Sequence, residues 1–202
     1  TEHTNGIPQN SSMQANVIYT SQTDVIEQQV KAAHQFADFV VVGVHWGVEN
    51  SHAIADPQRT LAQNLADWGA DLIIGTHPHV LQNAQWLTAA DGRQVFTAYS
   101  LGNFISTQEK PDQLVGAILS VQLEKTTKPD GTVRCSVLSP RLLPTVTHYD
   151  AGKSNVRTYL FRDYTEALTK AHGVRQAYPD FSLEMIQSIA RKNIDPEFLQ
   201  LT

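Results

Sequence analysis

Cysteine is almost missing from this chain: Cys135 is the only one in 202 residues. One thiol can form neither an intramolecular disulfide nor a cysteine-based metal cage, so any metal chemistry must use other side chains. Its place in the strand-like run Val133 to Leu138 predicts a small core residue. Long apolar runs are missing too, and no stretch approaches the roughly 18 residues that a membrane span needs. The chain opens on a polar run, Thr1 to Asn16, without the pattern of a secretory leader. Basic charge is not in excess. The 15 Lys and Arg residues face 20 Asp and Glu, a net charge of −5, and they are scattered. Nothing therefore forms the phosphate-neutralising stripe of a nucleic-acid binder. There is no internal repeat and no G-x-S-x-G elbow, P-loop, G-x-G-x-x-G or H-E-x-x-H motif. No serine has the sharp-turn context that a nucleophile needs.

What is present is an ordinary globular composition, 41% hydrophobic and 17% charged, long enough for one substantial core. Thr1 to Gln14 reads as a loop, with Asn5-Gly6 and Pro8 as turn residues. Asp24 and Glu27 open a weakly amphipathic helix that ends near Ala37. Phe39 to Trp46 is a run of mostly β-branched apolar residues, too short for a helix, and predicts a strand buried on both faces. Asp56-Pro57 reads as an N-cap followed by a first-turn proline, opening a helix to about Trp68 with Gly69 as its stop. Asp71 to Gly75 is the next buried strand. Two buried strands joined by a crossover helix predict an α/β sheet that is at least partly parallel.

Beyond His79 the pattern becomes antiparallel. Asp91-Gly92 is a hairpin turn between Gln85–Leu87 and Gln94–Tyr99. Leu114–Glu124 and Thr132–Leu143 flank Pro129-Asp130-Gly131 as a longer pair. From Asn155 the spacing of Val156, Leu160, Tyr164 and Leu168 predicts a helix, with another over Leu183 to Lys192. Residues 1–150 thus read as one unit, and 151–202 as a peripheral C-terminal helical element of the same domain.

Three groups of chemically capable residues stand at the ends of expected strands: His45; His77 with His79 across Pro78; and Ser100-Leu-Gly-Asn103. In an α/β sheet, functional groups collect beyond the carboxyl ends of the strands, so His45 and the His77/His79 pair should share one rim. Imidazole is a ligand for Zn, Fe, Ni and Mn. An H-x-H pair in extended chain spans about 6–7 Å, which suits two ligands on one metal or one on each of a close pair. The same pair is also common as plain surface histidines. His3, His34, His52, His148 and His172 lack such a setting and read as structural or exposed. Glu49 lies four residues past His45. It fits a ligand, a general base, an orienter of a histidine, or a solvated carboxylate. Arg59 fits a contact to an anionic substrate or a salt bridge. Asn103 fits a substrate contact or the satisfaction of a turn.

Phe39-Val-Val-Val-Gly-Val-His45-Trp46-Gly47-Val48-Glu49, Gln58-Arg59, Gly69-Ala70-Asp71-Leu-Ile-Ile-Gly75-Thr76-His77-Pro78-His79-Val80 and Tyr99-Ser100-Leu101-Gly102-Asn103-Phe104 together resemble the C-terminal motifs of the CapA family. Its members are bacterial proteins of poly-γ-glutamate capsule synthesis. The likeness covers roughly residues 35 to 108, and Thr4-Asn5-Gly6-Ile7-Pro8 resembles the family's mid-domain loop. The resemblance implies a layered α/β/β/α, calcineurin-like metallophosphatase fold, here partial, with C-terminal helices. It implies divalent metal ions (Mn, Fe or Zn), with His45 and His77 on one metal and His79 on the other.

The family's N-terminal half carries a Gly-Asp motif, an acidic motif and an Asn-His pair that would complete a two-metal site. None of these is in this chain. The expectation is therefore a metal-dependent hydrolase of a phosphoester or γ-glutamyl amide when full length, with this portion alone inactive. The alternative is a non-catalytic assembly or export component of a capsule-polymer complex. The implied partners are capsule-synthesis components or a polyanionic polymer, and the missing N-terminal half. Oligomerisation through exposed sheet edges is also expected. The implied location is the cell surface, anchored through a segment absent from this chain, with the cytoplasm as the alternative.

Overall fold

The computed structural model describes residues 17–202. The loop expected over Thr1 to Gln14, with His3 and the Thr4–Pro8 motif, lies outside them. The described chain is a mixed α/β structure with two sheets. The first has the strand order β1-β2-β4-β3, built from β1 (Val41–His45), β2 (Leu72–Thr76), β3 (Leu81–Thr88) and β4 (Gln94–Leu101). β1, β2 and β4 run parallel, and β3 returns antiparallel to β4 through the Asp91-Gly92 turn. The second sheet holds β5 (Val115–Thr127), β6 (Val133–Asp150) and β7 (Ser154–Leu160), all antiparallel.

Alternation along the central strands explains the layering. In β2, Leu72 and Ile74 face the second sheet while Ile73 faces the helices; in β4, Phe96 and Ala98 face one way and Val95 and Tyr99 the other. A strand buried on both faces needs an apolar residue at nearly every position. On the helical side, α1 (Thr23–Ala33) contributes Val30, and α2 (Asp56–Trp68) contributes Leu61 and Leu65. α2 starts one residue earlier than expected. Ala55 is the N-cap, Asp56 lies in the first turn, and the Gln58 side chain accepts a hydrogen bond from the Ala55 amide at 3.0 Å. Gly69 ends the helix at φ 120°. Arg93, from the β3–β4 hairpin, donates to the Ala66 and Ala70 carbonyls at that end, where a cation also meets the negative end of the helix dipole.

Four expectations are corrected. The run Phe39 to Trp46 is not buried on both faces. Among the described residues β1 is an edge strand paired only with β2, and the face carrying Val41, Gly43 and His45 is open, with Val41 51% exposed. The first helix ends at Ala33, with His34 its C-cap, and hydrogen-bonded turns carry the chain on to Ala37. The helix expected from Asn155 is instead β7, paired antiparallel to β6. A spacing of four residues returns a side chain to the same face of a strand as well as of a helix, so Val156 and Leu160 carried no discrimination. Cys135, in β6, is a free thiol and half-buried rather than a full core residue.

A short helix, α3 (Pro111–Leu114), lies between the two sheets in the chain, and the C-terminal stretch holds the short α4 (Glu166–Ala171) and the longer α5 (Leu183–Asn193). α3 precedes β5, and α5 packs against α3, β3 and β5. Phe161, Phe181, Ile186, Ala190 and Phe198 join the same buried cluster as Phe96 and Val115. Residues 151–202 therefore share the main core of the molecule.

Candidate functional site

His45 is the last residue of β1, and His77 and His79 immediately follow β2. Parallel pairing places His45 opposite Thr76, so all three imidazoles stand on one rim at the carboxyl ends of neighbouring strands. The His45 and His77 ring centroids are 4.5 Å apart, and those of His77 and His79 6.1 Å. The backbone that presents them is unusual. His77 has φ 99°, His79 φ 61°, and Asn50, in the facing loop, φ 61°. Such conformations are costly for side-chain-bearing residues and cluster where function demands a particular direction. The Asn50 amide donates to the Pro78 carbonyl at 2.7 Å, tying the loop after β1 to the His77-Pro78-His79 turn.

Two rings meet side-chain oxygens at Nδ1. The Thr76 hydroxyl lies 3.2 Å from the Val44 carbonyl and 3.3 Å from His45 Nδ1. That oxygen thus meets the ring of His45 at Nδ1. Asn103 does the same for His79, with Oδ1 3.0 Å from Nδ1. Burial lowers the pKa of His45, with the neighbouring His77 and His79 adding to the effect and Glu49 opposing it. His77 is lowered chiefly by burial; the Glu49 carboxylate opposes this and His79 reinforces it. Both rings therefore favour the neutral form, the one that binds metals.

The rest of the rim explains the Ser100-Leu-Gly-Asn motif. The Ser100 hydroxyl donates to the Val80 carbonyl at 2.7 Å and accepts from the Gly102 amide at 3.2 Å. Gly102, at φ 65°, turns the chain where a side chain would press on the Val115 carbonyl. Asn103 then points back to His79. Glu49 is exposed and makes its contact with the histidines through charge alone. Arg59 is exposed on the first turn of α2, and none of the ion pairs among the described residues includes it.

Sequence reasoning missed Thr76, Asn50 and Gln113. Gln113 donates to Asn50 Oδ1 and offers its carbonyl to Asn103, joining both loops of the site. Asparagine's tolerance of the left-handed region was the one available signal for Asn50. Nothing local marks Gln113, which arrives from another element.

The remaining described histidines have structural partners. His34 meets the Gly69 carbonyl, and His52 the Leu81 carbonyl and Asp112. His148 is buried between Tyr164 and Asp150. His172 is buried with Nε2 on the Thr147 carbonyl and Nδ1 accepting from the Val174 amide.

The rim offers nitrogen donors whose chemistry suits a divalent metal of the Mn, Fe or Zn kind. The set is short in number, since no group of three or more His, Cys, Asp or Glu side chains among the described residues is gathered closely enough to hold an ion.

Fold and rim together define a two-sheet α/β protein with three histidines at the carboxyl ends of two neighbouring parallel strands. The family model described as bacterial capsule synthesis protein PGA_cap matches residues 1–108. The chain is 37% identical over 114 residues to the PGA biosynthesis protein CapA of Bacillus subtilis (strain 168), covering 56% of this chain and 28% of that protein. It is 40% identical over 89 residues to the capsule biosynthesis protein CapA of Bacillus anthracis, covering 42% of this chain and 20% of that one. The chain belongs to the PGA_cap family of bacterial capsule synthesis proteins, and the match to these relatives spans under a third of their length.

Proposed function

We propose that this chain is the histidine-bearing part of a capsule-biosynthesis protein whose rim supplies His45 and His77 to one divalent metal ion and His79 to another, the sites being completed by ligands from elsewhere in the protein. One observation carries the reading. Imidazoles from the ends of two adjacent parallel strands share one rim, and Nδ1 of each outer ring meets a side-chain oxygen. The calcineurin-like α/β/β/α arrangement belongs to the same reading. It is supported by a parallel β1-β2-β4 core with helices on one face and a second sheet on the other.

Bound at this rim, a divalent metal supplies a water of lowered pKa and a Lewis acid for cleaving a phosphoester or a γ-glutamyl amide. The protein's own groups do the positioning. Thr76 and Asn103 hold the rings, Glu49 receives a proton at its carboxylate, and Arg59 meets an anionic group of a polyanionic polymer. The remaining ligands come from the rest of the polypeptide, so this portion alone is inactive as a hydrolase. Capsule-synthesis components are its partners at the cell surface, with the anchor outside this chain; no helix among the described residues is long and apolar enough to cross a membrane.

The test is metal content after purification in added Mn²⁺ or Zn²⁺, comparing this chain with a His77→Ala/His79→Ala double variant. Stoichiometric uptake that the variant loses supports the metal site. Equal, negligible uptake in both sinks it for this portion.

A second reading is a non-catalytic assembly or export component. It is favoured by the apolar residues left open beside the site, Val48, Phe104 and Ile105, each more than half exposed. A full-length form that binds metal but turns over no model phosphoester would support this reading over the first.

A further inference from the structure

The side chain of Asn103 is fully engaged, and the nature of its partners removes any freedom in how it is oriented. Its Nδ2 donates to the backbone carbonyl of Gln113 at 3.0 Å and to Gln108 Oε1 at 2.6 Å. A backbone carbonyl only accepts, so the NH₂ end of the amide must face Gln113, and the oxygen must face His79. That oxygen lies 3.0 Å from His79 Nδ1. Because the amide oxygen also only accepts, Nδ1 of His79 must carry a hydrogen. A neutral ring then has its lone pair at Nε2. Free histidine prefers the opposite tautomer, with the hydrogen on Nε2, so the arrangement is imposed by the protein.

The support behind Asn103 is built from a different element. Gln113, nearly buried, lies on α3, takes the Lys110 amide on Oε1 and donates to Asn50 Oδ1. Gly116 follows in β5 without a side chain, where a Cβ would overlap the Asn103 carbonyl. The β4–α3 connection is thus clamped around Asn103 from both sides.

We propose that Asn103 is a positioning residue that locks His79 in the Nδ1–H tautomer, so that Nε2 faces the crevice as a lone-pair donor to a divalent cation. It acts through His79 and does not itself contact substrate. The tautomer lock stands on hydrogen-bond geometry alone; only the use of Nε2 rests on the metal reading above.

The experiment is a two-bond ¹H–¹⁵N spectrum of this chain, labelled with ¹⁵N-histidine, metal-free, at a mildly alkaline pH. His79 is assigned by its loss in His79→Gln. The wild-type ring is expected to show a protonated Nδ1 and an unprotonated Nε2. Asn103→Ala is expected to shift the ring towards the Nε2–H form. Asn103→Asp, which keeps an acceptor at Nδ1, is expected to retain the wild-type pattern. A wild-type His79 in the Nε2–H form overturns the proposal, as does an unchanged tautomer in a folded Asn103→Ala. If Asn103→Ala fails to fold, the wild-type spectrum and Asn103→Asp still decide. Titration of the same samples with Mn²⁺ or Zn²⁺ is expected to show affinity about 10–100-fold weaker in Asn103→Ala, the usual effect of losing such an outer partner. A confirmed lock with no metal uptake in the wild type keeps the positioning role and rejects metal binding by this portion alone.

Discussion

The indole N–H of Trp46 donates to the backbone carbonyl of Tyr99 at 2.9 Å, reaching from the end of β1 across β2 to β4. The two rings stack with centroids 5.7 Å apart, and both are buried. The crossing exists because Gly75 lies beneath it. A Cβ there would overlap both the Tyr99 carbonyl oxygen and Trp46 Nε1. The bridge fixes the chain next to His45 relative to the chain before Ser100.

Gly75→Ala should therefore cost about 3 kcal/mol, combining overpacking with an unpaired buried indole N–H. Urea denaturation of wild type and variant measures it. A loss below about 0.5 kcal/mol, the range of an ordinary surface substitution, would show that the bridge is dispensable.

Acid should weaken the fold through His172. Its Nε2 donates to the Thr147 carbonyl and its Nδ1 accepts from the Val174 amide, so a second proton has no place. Burial is the main cause that lowers its pKa to about 4, against about 6.5 in the unfolded chain. The folded form binds fewer protons in that interval. Stability is thus fully present above pH 6.5, falls as pH drops towards 4, and loses about 3 kcal/mol from this residue. His148, beside it and also lowered by burial, acts in the same direction. Urea midpoints across this range should fall with pH in the wild type and change less in His172→Gln. Equal slopes would exclude His172 as the source.

The open edge at β1 should drive self-association. Its backbone pairs on one side only, and Val41 on its open face is half exposed. Unpaired, flat apolar edges recruit further strands. Sedimentation velocity should show concentration-dependent assembly that Val41→Lys reduces, with stability changed by no more than about 0.5 kcal/mol. A wild type that stays monomeric at all concentrations would contradict this.

Ser182 caps α5 by accepting the Met185 amide on its hydroxyl at 3.2 Å. Ser182→Ala should cost about 1 kcal/mol, read as a lower thermal midpoint. Because Ile186 and Ala190 of α5 sit in the main core, the loss should appear in a single cooperative transition. A separate early transition would mean that residues 151–202 fold apart from the rest.

Much of the architecture could be read from local pattern. The runs at Asp71–Gly75 and Gln94–Tyr99 are apolar on both faces because they became the central strands β2 and β4, and the Asp91-Gly92 and Pro129-Asp130-Gly131 turns lie where turn chemistry places them. The rim position of His45, His77 and His79 followed from strand ends in a parallel unit. Local pattern failed where two structures share one period, as at Val156 and Leu160 in β7, and where burial depends on a neighbour, as on the open face of β1.

The sequence by itself determined the parallel β1-α2-β2 unit, the two hairpins that follow it and the rim on which the three histidines stand, because periodicity and strand polarity are properties of neighbouring residues. Only the tertiary structure decided what each ring presents to the crevice. Thr76 orients His45, and Asn103 orients His79 with Gln113 behind it. A tautomer depends on the donors and acceptors that meet a ring, and here the decisive partners come from other strands, from a helix 34 residues away in the chain, and from backbone carbonyls that no residue type reveals.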